Sequence, residues 1–270
     1  RLPLHRSLPL RFPNRVFPML RLSSSKPAAA FLLLALAGCN IKPTQSEPPA
    51  TPQSEQASGE IGLFTTLPIY WGEGGDISSI LEKGERGWVR GLLEEDGVIL
   101  PLDTLEPEAL AEVDHVILAQ PRPLAPSENV SFDTWVREGG RALIFADPML
   151  TQHSDYPLGD PRRPHDMVVI SPILSRWGLA LLYDEEQPGG ERLKQANTTN
   201  LPVDLAGHFE TRGASDHADC DLSADGLIAD CKIGQGRALL IADAAVLDDH
   251  YDDAVRKSAL SALIDRIFDN

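Results

Sequence analysis

The chain has 270 residues, 42% of them hydrophobic, enough for the core of one large domain or two small ones. Its 24 Lys and Arg face 40 Asp and Glu, a net charge of −16. That balance argues against binding DNA, RNA or anionic lipid by charge, because neutralising phosphates takes Lys and Arg. The charge is also uneven: residues 1–39 hold six basic residues and no acidic ones, leaving 18 basic against 40 acidic in 40–270, a net −22.

The basic head has the pattern of an address. Met19 opens a sensible start, with Arg21 and Lys26 ahead of an 11-residue apolar run, Ala28 to Gly38. A positive n-region, a short apolar h-region and small closing residues make a secretory signal. A spanning helix needs about 20 apolar residues, so this run is too short to cross a bilayer. It closes on Leu36-Ala37-Gly38-Cys39, which resembles the lipobox of bacterial lipoproteins. The resemblance implies acylation of Cys39 as the mature N-terminus, with residues 1–38 as upstream sequence and signal peptide. Asn40 leans the expectation toward the outer membrane. Acyl chains contribute about 0.8 kcal/mol per buried CH₂, so several on one cysteine anchor stably. Residues 39–59 follow as a tether, nearly free of apolar residues after Ile41 and carrying four prolines.

Residues 60–270 alternate strand and helix patterns. Ile61–Leu67 is a short apolar strand closed by Pro68; Arg86–Glu95 is an amphipathic helix with Trp88, Val89, Leu92 and Leu93 on one face. Val98–Asp103 is a strand weakened by Pro101, hence an edge, and Val113–Ala119 is a third strand. Ser127 is the expected N-cap of a helix running to Glu138, ended by Gly139-Gly140. Arg141–Ala146 is nearly all apolar, as for a strand buried on both faces. Pro148 to Gly213 is rich in Pro, Gly and Asp, with one helical stretch near Ile173–Trp177. Gly226–Ile233 and Arg237–Ala242 form an expected hairpin around Gly-Gln-Gly, and a last helix spans about Asp252–Phe268. The order predicts an α/β domain: an open, mostly parallel sheet with helices on both faces.

One internal echo stands out. Gly140-Arg-Ala-Leu-Ile-Phe-Ala-Asp147 returns as Gly236-Arg-Ala-Leu-Leu-Ile-Ala-Asp243. Both aspartates should sit at carboxyl ends of central strands, where open α/β sheets place their ligands. Tyr70 and Trp71, after the first strand, and Gln120, after the third, fall on the same side. These five residues form the expected ligand or partner crevice. The blander role for each aspartate is to accept hydrogen bonds from the following turn.

Catalytic templates are missing. The chain has no Gly-x-Ser-x-Gly elbow and no His-Glu-x-x-His. Gly72-Glu-Gly-Gly75 lacks the Gly-Lys-Ser/Thr of a phosphate loop, and no Cys, Ser or Thr follows the third strand directly. His208, His217, Cys220 and Cys231 could be gathered into a zinc list, but beyond the membrane Cys220 and Cys231, eleven apart, favour a disulfide. The run Asp248–Asp253 suits helix capping better than calcium. Arg162 and Arg163 are expected to pair with Asp160 and Asp166. No catalytic residue, metal or cofactor is expected.

The stretch Asp114-His-Val-Ile-Leu-Ala119, then Asp133-Thr-Trp-Val-Arg-Glu-Gly-Gly-Arg-Ala-Leu-Ile-Phe-Ala-Asp-Pro148, with the later Gly236–Asp243 strand, resembles the auxiliary domain, gliding-motility type, of uncharacterised ABC-type transport systems. The resemblance implies a glutamine-amidotransferase-like (flavodoxin-like) fold without its catalytic cysteine, working beyond the membrane. The expected function is a lipid-anchored envelope protein facing the periplasm, with a non-catalytic binding domain that supports an ABC-type transporter or another envelope protein. The alternatives are a ligand-binding module for a sugar or peptide, or an unrecognised hydrolase using Asp147 or Asp243.

Overall fold

The computed structural model describes residues 59–72, 87–196, 198–213, 217–251 and 253–268. The residues expected to form the signal, the expected lipidation site Cys39, nearly all of the expected tether and Glu73-Gly-Gly75 lie outside these residues. Among the described residues no helix is long and apolar enough to cross a membrane.

A seven-stranded sheet carries the domain. Its strands are β1 (Glu60–Thr65), β2 (Val98–Pro101), β3 (His115–Ala119), β4 (Arg141–Phe145), β9 (Asp219–Ser223), β10 (Ile228–Ile233) and β11 (Gly236–Ile241). They are ordered β2-β1-β3-β4-β11-β10-β9. The first five are parallel, and β10 and β9 extend the sheet antiparallel. Ranked by chain position, the parallel strands run 2-1-3-4-5, the flavodoxin-like order, whose switch point lies between β1 and β3. This is the α/β architecture expected from the sequence.

Helix α1 (Trp88–Asp96) packs against α5 (Ala254–Phe268), which lies along β4 and β11. Helix α3 (Pro126–Arg137) touches α2 (Pro107–Leu110), α4 (Ser171–Arg176) and β11. Val116–Ala119 and Ala142–Phe145 are wholly buried, and successive strand residues point to opposite faces, so both faces are covered.

The two copies of the echo are neighbouring strands. β4 pairs with β11 in parallel, Arg141 opposite Arg237 through Phe145 opposite Ile241. Each repeated residue has its own physical reason. A Cβ on Gly140 would lie 2.4 Å from the Trp135 ring, and one on Gly236 would lie 2.0 Å from the Val136 carbonyl. The Arg141 guanidinium donates to the carbonyls of Ile267 and Phe268, and Arg237 donates to that of Arg266. Two guanidiniums therefore cap the carboxyl end of α5, where the helix dipole favours cations.

Several expectations need correction. The stretch 148–213 holds more than its one helical segment. Besides α4 it holds β5 (Leu179–Leu182) paired with β8 (His208–Thr211), and β6 (Arg192–Ala196) paired with β7 (Thr199–Val203), all antiparallel. These strands are short and partly exposed, and β7 contains Pro202, so their alternation is faint in sequence. Helix α3 is capped at Ala125, not Ser127. Pro126 takes the first helical position and the Glu128 carboxylate accepts from the Ala125 amide at 2.8 Å, while the Ser127 hydroxyl turns to Glu106. Strand β9 also escaped the sequence pattern.

Buried charge is matched where helices meet. Burial opposes ionisation of Asp133, but hydrogen bonds from Arg137, Trp177 and Arg176 overcome it and hold its carboxyl below the usual range. Arg122 and the amides of Ala125 and Leu105 hold Glu128 down at about 2.

Cys220 and Cys231 are bonded, and they face each other directly across β9 and β10. The bridge closes a short loop of sequence separation 11. Reduction, or the double substitution Cys220→Ser and Cys231→Ser, should lower unfolding free energy by about 3 kcal/mol in the chain-entropy picture; urea titration with and without reductant reads this directly.

Candidate functional site

The carboxyl edge of the sheet gathers the five crevice residues into two groups. Gln120 directly follows β3, beside the switch point. It is fully buried and holds φ +45°, an uncommon conformation for a residue with a side chain. Its side chain bridges to the neighbouring strand's end: Oε1 accepts from the Asp147 amide at 3.0 Å, and Nε2 donates to the Asp147 carbonyl at 3.1 Å and the His165 carbonyl at 2.8 Å. The Thr66 hydroxyl donates to the Gln120 carbonyl and accepts from the His165 amide. Gln120 thus ties the ends of β1, β3 and β4 to the loop at residue 165.

Asp147 and Asp243 end the paired strands β4 and β11, each 1% exposed. Asp147 Oδ1 accepts from the Met149 amide at 2.8 Å and Oδ2 from the Ala244 amide at 3.1 Å. Asp243 Oδ1 accepts from the Ala245 amide and Oδ2 from the Asp204 amide. The turn-capping role is therefore present in both, and each also fastens a second segment. Burial pushes the Asp147 carboxyl up to about 7, against the pull of its two amides. Burial raises Asp243 well above the ordinary range, and the nearby Asp147 charge adds to the rise.

Tyr70 and Trp71 belong to a separate, open place. They line a pocket of about 480 Å³ at the carboxyl ends of β1 and β2, with Thr66, Asp103, Tyr156 and Arg162. Their rings meet edge to face, centroids 4.7 Å apart, and Trp71 is 83% exposed. The Arg90 guanidinium lies 4.1 Å from the Tyr70 ring centre and donates to the Tyr70 carbonyl; Arg162 lies 4.3 Å from that of Tyr156. Arg162 pairs with Asp160 and Arg163 with Asp166, as expected. Thr66 is shared by the two groups, since it lines the pocket and bonds Gln120.

Tyr156, Arg162 and Asp103 were not foreseen as neighbours of Tyr70. The loop that brings Tyr156 and Arg162 back to β1 has no periodicity that would announce it. The acidic run at 248–253 serves caps: Asp253 accepts from the Arg256 amide at the start of α5, and Asp249 from the Val89 amide at the start of α1. Among the described residues no group of three His, Cys, Asp or Glu is placed to hold a metal.

No protein-family model matches the chain, and no curated protein matches it. Solved structures align with it only distantly. A ThuA-like protein from Bacteroides uniformis is 8% identical, with 82% of this chain and 97% of that one covered and a TM-score of 0.43. The GH42 β-galactosidase Gan42B of G. stearothermophilus is 10% identical, with 78% and 30% covered and a TM-score of 0.44. An exo-β-1,4-mannosidase from Opitutaceae bacterium strain TAV5 is 15% identical, with 78% and 33% covered and a TM-score of 0.40. The chain spans about a third of the glycosidase chains it matches. The strand order, not these likenesses, defines the architecture.

The buried aspartates set a pH dependence whose sign is fixed. Unfolded, they titrate near 3.8; folded, they hold their protons to higher pH. Their stabilising contribution is complete below the unfolded value and is lost as pH rises through about 7 for Asp147. Urea unfolding should show a loss of a few kcal/mol as pH rises from about 4 to about 7. Asp147→Asn should flatten that slope while lowering stability at the acid end, because an amide cannot accept from both the Met149 and Ala244 N–H groups.

Proposed function

We propose that this is a lipid-anchored cell-envelope protein whose α/β domain binds a ligand or partner without catalysing a reaction, in support of an ABC-type transport system. One observation carries the reading. In the turn after β3, where the resembled fold keeps its nucleophile, stands Gln120, and its amide is spent on the backbone of Asp147. The strained turn is used as a joint between strands. The open feature of the same edge is the pocket with the exposed Trp71.

The hydrolase reading asks more of Asp147 and Asp243 than their setting offers. Each carboxylate is buried and engaged by two backbone amides, whereas a general acid or base must come within hydrogen-bond reach of a substrate. The transport role rests on the resemblance of Val113–Pro148, and the anchor on the residues around Cys39.

A photo-crosslinking residue placed at position 71 should yield a discrete adduct in intact cells, and the same residue at Val130, which is exposed on α3, should not. Smears or no product from position 71 would sink the binding role at this edge. Separately, Cys39→Ser should move the protein from the membrane to the soluble fraction; retention at the membrane would refute lipid anchoring.

A further inference from the structure

We propose that the pocket at the carboxyl ends of β1 and β2 binds a neutral carbohydrate, with Trp71 as the stacking platform. This deepens the reading of the domain as a binding module and rests on it. The pocket's volume, about 480 Å³, is that of a small-molecule site. Its chemistry narrows the ligand by elimination and then by fit.

Anions are disfavoured first. The chain is net −16, and the pocket's arginine, Arg162, is already matched. Its Nε and Nη2 donate to the two carboxylate oxygens of Asp160 at 3.0 and 2.8 Å. An incoming phosphate or carboxylate would meet a neutralised pair inside a repulsive field.

Cations are disfavoured next. Aromatic rings in an acidic protein would ordinarily suit an ammonium group. Here the protein has supplied its own: Arg90 lies against Tyr70 and Arg162 against Tyr156. Both guanidiniums are paired, with Glu94 and Asp160, so it is occupied ring faces and not charge that leave an ammonium group no place on these two rings.

What fits is neutral, with an apolar face and a polar edge. A pyranose ring has both: its C–H groups line up on one face and its hydroxyls lie around the rim. The exposed Trp71 indole offers the complementary flat surface, with Leu67 and Leu102 as apolar wall. Asp103 can accept from vicinal hydroxyls, and Arg162 has five N–H donors of which Asp160 takes two. The hydroxyl of Thr66, held by Gln120 and His165, helps fix the floor rather than the ligand.

The test is titration of the full chain with chitotetraose, maltotetraose, mannotetraose and galactotetraose, followed by tryptophan fluorescence and calorimetry. At least one should bind saturably. Trp71→Ala should weaken that binding by about tenfold or more, the scale of a lost stacking contact. Its Tm should be unchanged, since the ring is exposed. Asp103→Asn should weaken binding several-fold, and tetramethylammonium and inorganic phosphate should not compete. Saccharide binding that Trp71→Ala and Asp103→Asn both leave intact would overturn the assignment, as would the failure of all four sugars. If an extended peptide binds in a Trp71-dependent way while no sugar does, the carbohydrate assignment falls and the binding module stands. If neither class binds and position 71 gives no crosslink, both fall together.

Discussion

The parallel pairing of β4 with β11 is the constraint on which the rest of the domain depends. It joins the simple β-α-β progression of the first half to the last third of the chain, 96 positions later. At one end of this strand pair, Arg141 and Arg237 hold the closing carbonyls of α5. At the other, Asp147 and Asp243 hold amides from the segments that cross the carboxyl edge. Both ends of the pair are fastened, so a shift of register would uncouple them together. Strands β5 to β8 lie in the chain between these two paired strands.

The architecture was legible because its signals are local and repeated. Near-continuous apolar runs such as Ala142–Ala146 mark strands covered on both faces, and the glycine and aspartate at their ends mark where they begin and stop. The echo placed both aspartates at carboxyl ends. It could not say that the copies are adjacent in space, since a repeated strand motif fits any two central positions. The insertion was opaque for the opposite reason. Strands of four or five residues with mixed exposure, one containing Pro202, carry too few alternations to stand out from loop.

For the crevice, sequence position found the edge but not the division within it. Five residues were expected to face one space, and the structure separates them by burial. Gln120 and the two aspartates are polar groups consumed by the backbone, as buried polar groups must be. Tyr70 and Trp71 remain at the surface, joined by side chains from a loop that nothing in the local pattern assigns to them. A glutamine in a strained turn is ambiguous in sequence; only its hydrogen bonds show it working as a joint.

The cystine has a consequence beyond the chain's own stability. A sheet of this kind ends in two exposed borders, each a template for another molecule's strand. One border is β2, only four residues long and finished by Pro101, which has no N–H to offer. The other is β9, bound covalently to its inner neighbour through Cys220 and carrying Asp219 and Asp221 in alternate positions. It cannot peel away to be exchanged between molecules, and a second copy approaching it would bring like charges into contact. Both borders are guarded against strand addition by different chemistry.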